Sequence, residues 1–236
     1  MKSCRRITLP GRLRFSLPLL LLALSVGCPP PPPPPAKVSR IPAAATTDRS
    51  LAEQVREVRQ GKSDAIEIES QPLSNDDLAP LDDLAGLHKL VLKKANVSDD
   101  GLRHLAHLSE LEMLVLGETT VTDAGIEIVL GMPQLRTLNF ASADITSAGL
   151  KKLVVLAHLN LLRFGKSRVG DDALASVRRM PELTALILQN APITDAGLEQ
   201  LLGFDQLKTL YLEGSQITDE GADRLQTSLP NLHFHW

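Results

Sequence analysis

A 24-residue repeat runs through most of the chain and constrains its fold more than any other feature. Two apolar residues separated by one position recur at this interval, followed each time by a second motif such as Ile193-Thr194-Asp195-Ala196-Gly197-Leu198. The apolar pairs of the six clear copies are Leu90/Leu92, Leu114/Leu116, Leu138/Phe140, Leu162/Phe164, Leu186/Leu188 and Leu210/Leu212. Such regularity does not arise by chance, and a period of this length indicates stacked structural units.

Each copy carries the signals for one short strand and one short helix. A triplet such as Leu90-Val91-Leu92 alternates inward and outward side chains with a period of two, which is typical of a strand. The Ser/Thr-Asp pair of the second motif is expected to cap a helix, because either side-chain oxygen accepts from a free N–H of the first turn. Leu102, Leu105 and Leu108 then form one apolar stripe. Since one unit cannot bury these side chains alone, stacked copies are expected to form a parallel sheet on one side and helices on the other.

The second motif resembles the leucine-rich repeat family, in particular the I-T-D-x-G-L (cysteine-containing, F-box-type) subtype of bacterial repeat proteins and F-box adaptors. The resemblance covers residues 63–236 and implies an α/β leucine-rich-repeat solenoid. Such a solenoid is a right-handed superhelix with a parallel sheet on its concave face and short helices on its convex face. An Asn or Cys commonly follows each strand in this family and forms a side-chain ladder. We expect no such ladder here, because the position holds Ala95, Thr119, Ala143, Ser167, Ala191 and Ser215.

Both ends of the repeat array require covering residues, because a terminal repeat otherwise exposes its core. Residues 50–62 are predicted to contain a capping helix that begins at Ser50. At the other end we expect Leu232, Phe234 and Trp236 to face inward from a last strand, with His233 and His235 outward. An H-x-H pair lacks the third and fourth ligands of a usual metal site, so we interpret it as polar exterior and predict no metal.

The first 49 residues indicate export. Residues 1–27 pass from basic to apolar to small residues, which is the pattern of a signal peptide. Leu24-Ser25-Val26-Gly27-Cys28 resembles a bacterial lipoprotein signal, which implies lipid on Cys28 and a periplasmic or surface location in the cell envelope. Ordinary signal cleavage is the alternative, since Ser25 stands where such signals usually have leucine. Residues 28–49 are predicted to be a linker whose seven prolines, Pro29 to Pro35, adopt polyproline II.

Composition and motifs argue against several classes of function. The 44 leucines, against five Phe, one Tyr and one Trp, favour a repetitive aliphatic interior. Removing residues 1–27 with their five cations leaves 20 Lys and Arg against 28 Asp and Glu, a net charge of −8 that makes nucleic acid an improbable partner. No nucleophile elbow, phosphate loop or H-E-x-x-H is present, so we predict neither an enzyme nor a cofactor. The recurring Asp99, Asp123, Asp171, Asp195 and Asp219 suggest calcium or helix capping, and we favour capping.

The outward strand positions are the candidate binding surface. Exposed apolar residues on a sheet often mark a contact surface, and Arg and Tyr often dominate binding energy. The predicted contact residues are Val91, Met113, Val115, Asn139, Leu161, Arg163, Ile187 and Tyr211. We therefore predict a protein partner. An envelope polysaccharide, bound through polar residues such as Gln189 and Asn190, and a passive structural spacer remain alternatives.

Overall fold

The computed structural model describes residues 49–236, which form one unit with an eight-stranded parallel sheet. The expected signal segment 1–27, Cys28 and nearly all of the segment 28–49 lie outside the described residues. Each strand pairs with the next along the chain, in a register offset by 24 residues. The strands are β1 Ala65–Ile68, β2 Lys89–Leu92, β3 Met113–Leu116, β4 Thr137–Phe140, β5 Leu161–Gly165, β6 Ala185–Gln189, β7 Thr209–Tyr211 and β8 His233–His235.

Short helices alternate with these strands, as the repeat predicted. They are α1 Leu51–Arg59, α2 Asp99–Leu102, α3 Asp123–Val129, α4 Ser147–Lys152, α5 Asp171–Val177, α6 Asp195–Glu199 and α7 Asp219–Ser228, with 3-10 helices at Asp76–Leu81, Arg103–Leu105 and Leu153–Val155. Because every strand is followed by a return on the same side, the predicted α/β leucine-rich-repeat solenoid is confirmed, with the strands on the concave face. Among the described residues, no helix has the length and apolar character needed to cross a bilayer.

The core is a continuous row of aliphatic side chains between the sheet and the helices. Leu90, Leu114 and Leu138 point inward from successive strands and are fully buried. The helical stripe formed by Leu102, Leu105 and Leu108 meets them from the other side, at most 3% exposed. Full burial of one such side chain contributes roughly 1.5–3 kcal/mol. Each repeat is therefore stabilised mainly by its neighbours, which is why the copies fold as an array.

Gln54 of α1 covers the open edge of the sheet at β1. Its side-chain Nε2 donates to the Glu67 carbonyl at 2.9 Å, and its Oε1 accepts from the Glu67 N–H at 2.8 Å. The amide thus takes the place of a neighbouring strand and is itself only 5% exposed. The helix begins after Ser50, whose hydroxyl accepts from the Glu53 N–H.

The other end differs from the sequence prediction at one residue. Leu232 and Phe234 face inward at 5% and 9% exposure, and His233 and His235 are exposed, as expected. The inward prediction for Trp236 is wrong, because its side chain is 49% exposed. The strand ends at His235, so the alternation of faces no longer applies to Trp236, and its ring stacks on Phe234 with centroids 4.8 Å apart.

Candidate functional site

The hydroxyl of the Ser/Thr residue caps the helix that follows it, whereas the carboxylate does not; α5, which begins after Gly170, has no side-chain cap. Thr122 and Thr146 accept at the side-chain oxygen from the N–H two residues later, at 3.2 and 3.1 Å. Four of the five aspartates accept instead from the cap residue of the next repeat: Asp99 Oδ1 receives the Thr122 N–H at 2.9 Å, and Oδ2 receives the Thr122 hydroxyl at 2.7 Å. The prediction that the aspartates cap their own helices is therefore wrong.

This carboxylate contact forms a ladder between repeats. The same pair of bonds joins Asp123 to Thr146, Asp171 to Thr194 and Asp195 to Thr218. Asn75 Oδ1 likewise accepts the Ser98 N–H, but its Nδ2 donates to the Ser98 hydroxyl. The hydroxyl and backbone N–H of Thr218 lower the pKa of Asp195. Hydrogen bonds to a charged oxygen are stronger than bonds between neutral groups. The ladder therefore holds the start of a helix against the start of the helix in the preceding repeat.

The glycine of the motif makes room for this carboxylate. A Cβ at Gly125 would lie 2.4 Å from Asp99 Oδ1, and one at Gly197 would lie 2.3 Å from Asp171 Oδ1. The one repeat without the aspartate is followed by a repeat without the glycine: Ser147 replaces the aspartate, and the next repeat has Ala173 in place of glycine. Ser147 accepts only the Gly170 N–H, at 3.0 Å. The shorter serine side chain leaves space for the alanine methyl group.

The position after each strand, where leucine-rich repeats commonly have Asn or Cys, holds side chains that differ in their hydrogen bonding. The Thr119 hydroxyl donates to the Val97 carbonyl at 2.7 Å and accepts from the Val121 N–H at 3.2 Å. The Ser167 and Ser215 hydroxyls have no hydrogen-bond partner among the described residues. The expected absence of a continuous ladder at this position is thus observed, and the aspartates supply one elsewhere.

All eight predicted contact residues lie on the concave face, which is the sheet face directed away from the helices. Val91, Val115, Asn139, Arg163, Ile187 and Tyr211 form one in-register row, and Met113 and Leu161 belong to the row two residues earlier. Seven of the eight are half-buried, and Val91 is only 8% exposed. The apolar residues of this face are therefore partly covered, because strands about 4.8 Å apart cover each other's side chains.

Two polar groups at the centre of this face lack partners. Asn139 and Arg163 are neighbours on β4 and β5, and the Asn139 Oδ1 and Arg163 Nε atoms are buried without a hydrogen bond. The Arg163 guanidinium reaches Gln189 Oε1 at 3.4 Å. Buried polar atoms without a partner are uncommon and carry a free-energy cost. Within residues 49–236, they are the side-chain atoms of this face that are buried without a partner.

An aromatic cluster ends the concave face at β7 and β8. The Tyr211 and His235 rings are stacked with centroids 4.5 Å apart and planes 10° apart, and His233 lies edge-on to both. His235 Nε2 is 3.0 Å from His233 Nε2. The sequence predicted the outward direction of the two histidines but not the convergence of their ring nitrogens.

A groove of about 440 Å³ lies along the starts of β2, β3 and β4 and was missed by the sequence reasoning. It adjoins the predicted contact residue Met113. Arg136 in its wall pairs with Glu112 at 3.6 Å and Glu182 at 3.4 Å. The lining residues are His88, Lys89, Glu112, Met113, Arg136, Thr137 and Asn160. The period-two alternation identifies outward residues only within the strands. The charged residues of this groove that precede the strands therefore carried no sequence signal.

Several cations of the helix side are paired with acids, whereas Arg178 bonds to the backbone carbonyls of Gln200 and Leu202. Lys151 pairs with Asp172, Lys152 with Glu127, and Arg168 binds both Asp144 oxygens at 2.6 and 2.8 Å. Glu127 raises the pKa of Lys152. Over residues 49–236, no three His, Cys, Asp or Glu side chains are grouped closely enough to hold a metal ion.

Comparison with known proteins gives the same fold. The leucine-rich repeat family matches residues 132–154 and 207–225. Internalin C2 of Listeria monocytogenes superposes with a TM-score of 0.59 at 21% identity, over 80% of this chain and 92% of that one. A second internalin of that species, InlF, gives a TM-score of 0.48 at 21% identity, over 77% of this chain and 63% of its own. None of the curated proteins matches the chain. At 21% identity the likeness to internalin C2 concerns the fold alone, which is that of a leucine-rich-repeat solenoid.

Proposed function

We propose that the chain is a non-catalytic protein-binding module, exported to a bacterial cell envelope and held there by a lipid on Cys28. In this proposal residues 1–27 are the signal, 28–49 the spacer, 50–62 the N-terminal cap and 63–236 the binding array. The concave face holds the protein partner.

The combination of half-buried apolar side chains with unpartnered polar atoms supports this proposal. Covering the remaining surface of Ile187 and Leu161 would gain about 25 cal/mol per Å² of apolar area. A partner that bonds to the Arg163 guanidinium would also relieve the cost of its unpartnered Nε. Arg163 and Tyr211 are of the residue types that most often dominate binding free energy.

The dimensions of the face suit a protein. Eight strands about 4.8 Å apart extend over about 34 Å. Small-molecule sites are enclosed clefts that bury most of their ligand, whereas this face is a row of side chains with a shallow groove beside it. The acidic repeats make a nucleic acid an improbable occupant.

The test is recovery of a partner from envelope extract by the full chain. The double variant Arg163→Ala/Tyr211→Ala is compared with Arg179→Ala/Gln200→Ala, which changes two exposed residues on the helix side. We expect the first variant alone to lose a discrete protein band, and a cross-linker placed at Ile187 to capture that same protein. Loss of polysaccharide retention instead would favour the polymer-binding alternative, and equal recovery by both variants would favour a passive spacer.

Anchoring is tested separately by metabolic labelling with a fatty-acid probe. The wild-type chain is expected to carry the label, and Cys28→Ser is expected to lose it while retaining the fold. Labelling that persists in Cys28→Ser, or is absent from the wild type, would contradict the lipid anchor without affecting the proposed binding face.

A further inference from the structure

We propose that His233 and His235 form a two-ligand site for a divalent transition metal, with Cu²⁺ preferred. The inference rests on the convergence of two imidazole nitrogens at the end of the concave face and is independent of any protein partner.

The distance between the two nitrogens fits chelation. Their Nε2 atoms are 3.0 Å apart. With metal–nitrogen bonds of about 2.0–2.1 Å, two ligands at about 90° lie about 2.9 Å apart, and two at the tetrahedral angle lie about 3.3 Å apart. The observed separation is nearer the first value. That geometry is typical of Cu²⁺ and Ni²⁺, and imidazole binds Cu²⁺ most strongly of the divalent first-row ions.

The surrounding residues hold the pair in position. His233 and His235 are two residues apart on β8, so both side chains leave the same face of the sheet. The Tyr211 ring stacks on His235 and meets His233 at its edge, with centroids 4.5 and 5.8 Å apart. Little rearrangement is then needed before an ion binds, which reduces the free-energy cost of ordering the ligands.

Chelation requires a change in the position of one ring proton. A hydrogen bond across the 3.0 Å contact requires a proton on the Nε2 atom of one ring. Chelation requires both rings to carry the proton on Nδ1, and the donor ring reaches this tautomer by exchange with water. Both rings are exposed, and no third ligand from residues 49–236 completes the set, so the ion keeps positions open to water or to an external donor.

The test is Cu²⁺ titration of the full chain by calorimetry and electron paramagnetic resonance. Cys4→Ser and Cys28→Ser form the background, because free thiols bind and reduce copper. We expect one high-affinity Cu²⁺ per chain with hyperfine coupling to two nitrogens. Either His233→Ala or His235→Ala should weaken binding on the order of 100-fold, because one donor of a chelate is lost, and should leave one coupled nitrogen.

The matched control is His107→Ala, which removes an exposed histidine outside the pair. It is expected to leave the high-affinity event and its two-nitrogen signal unchanged. Affinity that is unchanged in the His233→Ala/His235→Ala double variant would overturn the site, and so would equal losses in His107→Ala and His233→Ala. Circular dichroism should show that each variant keeps the wild-type fold, which is expected because these side chains lie outside the core.

Discussion

The carboxylate of Asp123 occupies the space that a side chain at residue 149 would need. A Cβ built on Gly149 would lie 2.2 Å from Asp123 Oδ1, well inside van der Waals contact. The aspartate is held there by the Thr146 N–H at 2.9 Å. The spacing of the I-T-D-x-G-L motif therefore records a contact between successive repeats, in addition to the capping of one helix.

Gly149→Ala should lower the free energy of unfolding by about 1–3 kcal/mol, the usual cost of overpacking. The added methyl group must displace the Asp123 carboxylate from Thr146. Adding Asp123→Ser should restore part of the loss, because the combination reproduces the natural pairing of Ser147 with Ala173. Urea denaturation of the two single variants and the double variant measures the coupling; strictly additive losses would refute the shared-space explanation.

Gln54→Leu should destabilise the N-terminal end of the array. The substitution leaves the N–H and carbonyl of Glu67 without the bonds they make to Gln54, and each unsatisfied group costs about 1–3 kcal/mol. Hydrogen exchange at the Glu67 amide should accelerate, and the unfolding midpoint in urea should fall. Gln60→Leu, at an exposed site next to the helix, is the control and should change neither measurement. Unchanged exchange at Glu67 in Gln54→Leu would contradict the role of the amide as a strand substitute.

Removing the hydroxyl should change the free energy of unfolding differently at two residues that occupy the same position of the repeat. Ser167→Ala removes a buried hydroxyl without a partner, so the free energy of unfolding should stay constant or rise by up to about 1 kcal/mol. Thr119→Val keeps the shape of the side chain but loses its bonds to Val97 and Val121, so stability should fall by about 1–2 kcal/mol. Thermal unfolding of both variants checks the contrast, and a loss in Ser167→Ala like that in Thr119→Val would disprove it.

Acid should weaken the ladder between α6 and α7. The Thr218 bonds lower the pKa of Asp195 in the folded chain. Since the folded pKa is depressed, the carboxylate contributes stability above its unfolded pKa of about 3.9 and loses it as the pH falls through the folded value. Asp195→Asn keeps an acceptor without the charge, as Asn75 does for the Ser98 N–H.

The free energy of unfolding of Asp195→Asn should consequently fall less steeply than that of the wild type below about pH 4. Urea titrations between about pH 5 and pH 2.5 measure both slopes. Some slope should remain, because Ser74 lowers the pKa of Asp77 and Lys151 lowers that of Asp172. Asp219→Asn is the matched control, since Asp219 makes no ladder bond among the described residues. Identical slopes for the wild type and Asp195→Asn would contradict the prediction.

The strands were predicted correctly because the alternation of inward and outward side chains is a local property of a strand. In Leu90-Val91-Leu92 the two leucines are enough to identify the inward face. The exposure of Val91 could not be read in this way. It depends on Glu67 and Val115, its neighbours on β1 and β3, which lie 24 residues away in the sequence.

The aspartates show the same limit for hydrogen bonds. Within its own six-residue motif, the available donor to Asp99 is an N–H of the helix that it begins. The motif does not indicate that the Thr122 groups of the next repeat are the donors that Asp99 meets. The sequence also shows too few ligands beside His233 and His235 for a usual metal site. The distance between their ring nitrogens, in contrast, is set by side-chain packing against Tyr211.

The amino-acid sequence alone determined the repeat length, the inward leucines, the α/β solenoid and the direction of every candidate contact residue. These follow from periodicity, because each copy must bury the same apolar side chains in the same way. Tertiary structure decided which groups meet between copies: the carboxylate ladder, the Gln54 cover on β1, the unpartnered Asn139 and Arg163 atoms and the paired histidines. Those contacts join residues at least 13 positions apart, or depend on side-chain rotation, and neither is encoded in a local pattern.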